Sequence, residues 1–306
     1  MNIVFMGTPD FAVPTLEKLN EDSEINVSYV VTNPDAKSSR GLKTKFNPVK
    51  EKALELNLKI LQPEKIKNDE ETIKLIKEAK PDFIIVVSYG QILSKEILDI
   101  PKFACINGHA SLLPKYRGAS PIQTAILNGD KTTGVTTMLM DVGLDTGNIL
   151  EQKKITIDEK ETAETLFDKL STLTSDLLVH TIHNFSTIES IKQDDELACK
   201  CSIIKKEFGE IDFNSEDAVS IERKVRAYTS WPSAFVKSGE EILKIWDIDI
   251  VNEDVDISLS KKFSDNIFIL KDQIIAKCKT GFIRINELQK SGKKRVTAKE
   301  FINGLK

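Results

Sequence analysis

The sequence is short of most features that assign a chain at a glance. No stretch is apolar for long enough to cross a bilayer, and the opening Met1-Asn2-Ile3-Val4-Phe5-Met6-Gly7 lacks the basic start and long apolar run of a secretory signal. The expected place of work is therefore the cytoplasm, with no membrane partner. No internal repeat is visible. Positive charge is not in excess: the net charge of −4 argues against bulk attraction to nucleic acid, although a local basic patch fits inside such a total. Cysteines number only four in 306 residues. Cys105 lies in an apolar run and reads as a small core residue, while Cys199 and Cys201 form a C-x-C pair with no second pair to complete a zinc site. Of the three histidines, His180 and His183 sit at i, i+3 on one helix without a nearby third ligand and read as a helix surface, so no metal is expected. The first turn, Gly7-Thr8-Pro9-Asp10, lacks the second and third glycines of a dinucleotide fingerprint, and no phosphate-loop lysine is present. Nicotinamide and nucleoside-triphosphate chemistry are disfavoured, and the stretch reads as a tight turn capped by Asp10.

What is present is a clear α/β rhythm. "NIVFMG", "INVSYVVT", "LKILQP" and "DFIIVVSY" read as strands separated by the helical "FAVPTLEKLN", "PVKEKALELN" and "DEETIKLIKEAK". Such alternation implies a Rossmann-like parallel sheet with helices on both faces and ligands beyond the carboxyl ends of its strands. "TTGVTTMLMD" and "GNILEQKKITI" add two strands, and "ETAETLFDKLSTLTSDLLVHTIHNF" is a long closing helix. A polar connector follows. Then "EDAVSIERKVRAY" reads as a helix and "AFVKS", "EILKIWDIDIV", "NIFILKDQIIAKCKT" and "GFIRINELQ" as short strands, the texture of a small, OB-like β-barrel. The expected division is an α/β domain over 1–187, a basic linker over 188–207 and a β-barrel over 208–306.

The chemistry-bearing residues cluster at a strand end. In "ACINGHASLLPKYRGASPIQ", Asn107 and His109 are two apart on a strand and so face the same way, one offering an amide donor and the other a titratable ring. "SLLP" follows, where Leu112 and Leu113 can wall an aromatic ligand and Pro114 stiffens the turn. "MDVGLDTG" puts Asp141 and Asp145 in a loop hemmed by Gly143 and Gly147. A carboxylate beside the histidine would fix the ring's orientation and charge. Alone, each residue also has an ordinary reading: Asn107 capping a turn, His109 a satisfied buried histidine, Asp145 an N-cap. The long loop "NPDAKSSRGLKTKFNPVK", with Arg40, Lys43 and Lys45, is either solvated or ordered over a large anionic ligand.

Together, "MGTPDFAVPTLEKL", "INGHASLLPKYRGASPIQ" and "MDVGLDTGNIL", with "VVSYGQIL", "NPDAKSSRG", "KKEFGEIDF", "VRAYTSWPSAF" and "SGKK", resemble the folate-dependent formyltransferases through most of the chain. The resemblance implies transfer of a formyl group from 10-formyltetrahydrofolate to an amine, without a metal, by Asn107, His109 and Asp145. It also implies that the pterin lies against Val87, Tyr89, Gly90 and Ile92, against Asp141, Val142 and Gly143, and along Ser111, Leu112, Leu113 and Pro114. The implied acceptor is initiator methionyl-tRNA, met by Arg40 and Lys43 in the long loop and by the basic pairs Lys205, Lys206 and Lys293, Lys294; such clusters suit a phosphate backbone. A monomer is expected. The triad fixes the chemistry better than the acceptor, so an enzyme acting on an amino sugar or other small amine is the rival, with an inactive RNA-binding module behind it. Two departures stand out: Gly108 replaces a usual aliphatic residue, and Ala36 and Lys37 follow "PD" where a proline and a further basic residue are often found.

Overall fold

The computed structural model describes residues 1–35, 45–238, 241–253, 255–258 and 260–305. They form two compact units, one of Met1–Pro121, Thr132–Thr156 and Phe167–Cys201, the other of Ile122–Lys131, Ile157–Leu166 and Ser202–Lys306.

The order of elements up to Cys201 is β1 (Asn2–Gly7), α1 (Val13–Glu21), β2 (Asn26–Val31), α2 (Pro48–Glu55), β3 (Ile60–Leu61), α3 (Glu70–Ala79), β4 (Phe83–Val87), α4 (Lys95–Leu98), β5 (Ala104–His109), β6 (Arg117–Gly118), α5 (Pro121–Leu127), β7 (Thr132–Leu139), β8 (Ile149–Thr156), α6 (Ala163–Asn184) and β9 (Lys200–Cys201). The first sheet runs β3-β2-β1-β4-β5-β7-β8, parallel from β3 to β5. Every residue of β4 is buried, as its unbroken apolar run Phe-Ile-Ile-Val-Val requires of a strand covered on both faces. β7 alone runs against the expected parallel direction, antiparallel to both β5 and β8. The short 140–148 loop turns the chain straight back into β8 without the crossover that a parallel pair needs, so β8 again runs in the direction of β5. The sheet order reverses direction between β1 and β4, which opens the crevice at their carboxyl ends where ligands of such sheets bind.

The turn after β1 differs from expectation. Asp10 makes no capping bond among the described residues; Pro9 stands at the N-cap, and the turn closes through the Ala12 N–H donating to the Pro9 carbonyl at 3.0 Å.

The second unit carries α7 (Ala218–Ala227), β10 (Ala234–Ser238), β11 (Glu241–Val251), β12 (Lys261–Lys262), β13 (Ile267–Leu270), β14 (Gln273–Lys277), β15 (Phe282–Lys290), β16 (Val296–Thr297) and α8 (Ala298–Asn303). Its sheet is antiparallel, ordered β10-β11-β15-β14-β13-β12 with β16 on β15. Ile221 and Val225 of α7 and Phe301 of α8 enter one core with Leu243, Ile245, Ile285 and Leu288. The apolar run at 266–280 is a hairpin rather than one strand, bent at Lys271, whose φ is 58°.

Candidate active site

The carboxyl end of β5 brings the polar residues of the sequence motif together. Asn107 pairs in register with Val86 of β4 and Met138 of β7, and His109 with Thr136. Between them, a Cβ on Gly108 would stand 2.6 Å from Thr174 Cγ2 and 2.9 Å from Leu178 Cδ1, so this face of the strand is pressed onto α6. Alternation then turns Asn107 and His109 to the opposite face. Both are buried. Asn107 makes no side-chain hydrogen bond among the described residues, which leaves its amide donors for something that enters.

His109 is held on one side and faces a carboxylate on the other. Its Nε2 lies 3.0 Å from the Tyr116 carbonyl, an acceptor, so Nε2 carries the hydrogen and Nδ1 is the ring atom facing Asp145. The Nδ1 to Asp145 Oδ2 separation is 3.8 Å, too long for a hydrogen bond and short enough for a strong field at the ring. Asp145 adopts a positive φ of 55°, and its Oδ2 accepts the Gly118 N–H at 2.8 Å. Gly118 has a φ of 119°, and a Cβ there would lie 2.3 Å from the Cys201 carbonyl oxygen; only glycine fits between β9 and the carboxylate it serves. Cys201 is buried, its Sγ accepting from the Ser120 N–H and lying 3.4 Å from the Tyr116 carbonyl; burial pushes this thiol up from its ordinary pKa. Tyr116, Gly118 and Cys201 are not legible in the sequence as site residues, because two act through main-chain atoms and the third from the polar connector.

The segments assigned to the folate are placed as follows. Ser111 Oγ donates to the Lys115 carbonyl at 2.6 Å, and the Ser111 and Leu113 carbonyls accept from Thr136 Oγ1 and Gln152 Nε2, so the turn through Pro114 is fixed internally. Leu113 is buried, while Leu112 and Pro114 are half-buried. Val87 and Tyr89 send their side chains into the core; the Tyr89 hydroxyl has no partner among the described residues, and burial raises its pKa. The Tyr89 carbonyl accepts from Thr8 Oγ1 and Asn33 Nδ2, and Gly90 follows with a φ of 82°. Asp141 closes its own loop by accepting from the Gly143 N–H and Thr146 Oγ1. Ile92 and Val142 are exposed at 79% and 73%, apolar surface without protein cover.

Arg40 and Lys43 lie outside the described residues. Lys205, Lys206, Lys293 and Lys294 are exposed and make no ion pair among the described residues, whereas neighbouring Arg295 is engaged by Glu287 and stacks on Trp246 at 5.2 Å. His180 pairs with Glu151 and His183 with Asp22, as helix-surface histidines do. Among the described residues no group of His, Cys, Asp and Glu could hold a metal, and no helix is long and apolar enough to cross a membrane.

Residues 1–182 match the model of the formyl transferase family, and residues 203–306 match that of the formyl transferase C-terminal domain. The chain belongs to the formyl transferases. It is 44% identical, over 99% of its length and 97% of the relative's, to the methionyl-tRNA formyltransferase of Caldanaerobacter subterraneus subsp. tengcongensis. It is 45% identical, over 100% of its length and 97% of the relative's, to that of Clostridium tetani. Among solved structures it shares its fold with a methionyl-tRNA formyltransferase from Clostridium thermocellum (24% identity, 83% of this chain, 95% of that one, TM-score 0.59). It also shares it with an N-formyltransferase from Helicobacter canadensis in complex with folinic acid and dTDP-3-aminofucose (22% identity, 94% and 98% coverage, TM-score 0.65). The expected Rossmann-like domain followed by a β domain is thus the fold of a formyl transferase.

Proposed function

We infer that the chain transfers the formyl group of 10-formyltetrahydrofolate to the α-amino group of initiator methionyl-tRNA. The observation that carries the chemistry is the disposition of His109, fixed through Nε2 and facing Asp145 through Nδ1, beside the unengaged amide of Asn107. The acceptor rests on end-to-end similarity to methionyl-tRNA formyltransferases. A single chain carries every residue this reading uses, which fits a monomer, and the reaction, a step of translation, places it in the cytoplasm.

Attack of the amine nitrogen on the formyl carbon breaks the carbonyl π bond and places a negative charge on its oxygen. Asn107 donates an N–H to that oxygen, a donor in such a position being worth roughly 3–4 kcal/mol of barrier, and the His109 ring would add positive charge nearby if protonated. Asp145 sets a negative charge beside the ring and takes the proton that the amine loses, through one water. Collapse restores the carbonyl and breaks the bond to the folate nitrogen, which takes from Asp145 the proton that the amine gave up and leaves as tetrahydrofolate. The apolar surface of Ile92, Val142 and Leu112 suits the pterin edge, and the exposed lysines of the second unit suit tRNA phosphates.

The test is direct. Incubation with 10-formyltetrahydrofolate and either charged initiator tRNA or dTDP-3-aminofucose should give formylmethionyl-tRNA in the first case and no formylated sugar in the second. Formylation of the sugar with the tRNA untouched would overturn the assignment of the acceptor.

A further inference from the structure

We propose that Gln193 is a positioning residue for the transfer, holding the loop that carries Asp145. The inference rests on the catalytic reading of Asp145 given above. Gln193 lies in the polar segment after α6 and is only 5% exposed. Its Nε2 donates both hydrogens, to the carbonyl of Asp145 at 2.9 Å and to that of Gly147 at 2.7 Å. Its Oε1 accepts from Arg117 Nε at 3.0 Å. Turning the amide over would set its oxygen against two carbonyls and its NH2 against a guanidinium N–H, so the network admits one orientation.

Arg117 is itself buried, and its far end reaches the surface to pair with Asp195 at 2.8 Å. Its neighbour in β6, Gly118, gives the N–H that Asp145 Oδ2 accepts. One short strand therefore governs Asp145 twice, through its carboxylate directly and through its carbonyl by way of Gln193.

The loop needs such support. Asp145 has a φ of 55°, a region that residues other than glycine seldom occupy. Val142 and Leu144 of the same loop are exposed at 73% and 65%, so little apolar packing anchors it. Because Asp145 Oδ2 stands 3.8 Å from His109 Nδ1 with no hydrogen bond between them, nothing in that pair fixes the spacing; the loop must. Gln193 touches neither the ring nor the reacting atoms, and acts through Asp145.

Gln193→Met keeps length and volume while removing every one of these bonds. In the full chain it should lower kcat roughly 10- to 100-fold, the scale expected of a misplaced catalytic group, with KM for 10-formyltetrahydrofolate and for charged tRNA changed less than about twofold. Placed in an Asp145→Asn background, the same substitution should cost less than about threefold, since the charge it positions is already gone. Wild-type kcat in Gln193→Met, with Asp145→Asn inactive, would overturn the role of Gln193 alone; an undiminished loss in the Asp145→Asn background would do the same. Wild-type turnover in Asp145→Asn would overturn the catalytic reading of Asp145, and this inference with it. Should the Met variant not fold, Gln193→Glu serves. Its turnover relative to wild type should rise as pH falls, because only the protonated acid has a hydrogen to donate, and it restores the bond to one of the two carbonyls while the ionised form sets a charge against both. A ratio flat with pH would overturn the proposal.

Discussion

Asn107 and His109 can be read as partners because strand alternation is local: two residues apart on β5 means one face, whatever the rest of the chain does. Asp145 is legible only as a carboxylate between glycines, and its place 3.8 Å from the ring depends on β6 and Gln193, which no local pattern announces. Asn107→Ala and His109→Ala should each lower kcat by about 100-fold or more while folding normally, and Asp145→Asn should resemble them, since it keeps the shape and removes the charge. Single-turnover rates with unchanged thermal midpoints check this; near wild-type rates in all of them would defeat the assignment. Gly108 marks the other side of the strand. The space an aliphatic residue would take is filled here by Thr174 and Leu178, so Gly108→Val should destabilise the fold by about 1–3 kcal/mol through overpacking. A denaturant midpoint equal to wild type would show that α6 yields freely.

At the scale of elements, the long periodic segments are legible from their apolar spacing, and the misreadings fall where a turn decides. β7 reads as a strand in either direction; the path through α5 sets it antiparallel to β5, and the loop at 140–148 sets β8 antiparallel to it. The hairpin of β13 and β14 hides in one apolar run because its bend falls on Lys271 and Asp272, not on a glycine pair. α8 is easily overlooked although Thr297 and Glu300 form a capping box, each side chain meeting the other's main-chain N–H. In the second unit β11 is tied down by charge. Asp249 accepts from Lys160 at 2.8 Å and from Arg284 and Asn286 at 2.9 Å, and the Lys160 ammonium, followed by these two, holds its carboxyl well below the usual range. A lowered folded-state pKa contributes stability that is present above the unfolded value, about 4, and is lost as pH falls through the folded value. Asp249 is about a third exposed, so screening limits its contribution to about 1 kcal/mol. Asp249→Asn should therefore cost up to that amount near neutrality. The difference from wild type should shrink below about pH 4; one that stays constant down to about pH 2 would refute the electrostatic account.

At the scale of the whole molecule, a net charge of −4 has to coexist with binding of a polyanion, and the exposed, unpaired lysines offer a local solution. Cutting the chain near residue 190 is a poor test of where tRNA binds, because the first compact unit continues to Cys201 and such a cut removes Gln193 and β9 along with the second unit. The cleaner experiment keeps the full chain and replaces Lys205, Lys206, Lys293 and Lys294 with alanine. These side chains make no ion pair among the described residues, so their removal should leave the fold and the affinity for 10-formyltetrahydrofolate unchanged. Binding of charged tRNA should weaken, and the dependence of log K on log salt should flatten by roughly 0.7–0.9 for each phosphate no longer neutralised, because each neutralised phosphate releases its own counterion. Arg40→Ala belongs beside it as a contrast: a guanidinium between β2 and α2 in the sequence should affect productive use of charged tRNA more than folate affinity. Parallel salt curves for wild type and the lysine variant would show that these four side chains do not hold phosphates. Other basic side chains would then have to take the phosphates, among them Arg295 and Lys244 around Trp246. Binding there would need the Glu287 partner of Arg295 to be given up, a cost that the salt slope alone would not reveal but that Glu287→Gln should lift, tightening tRNA binding.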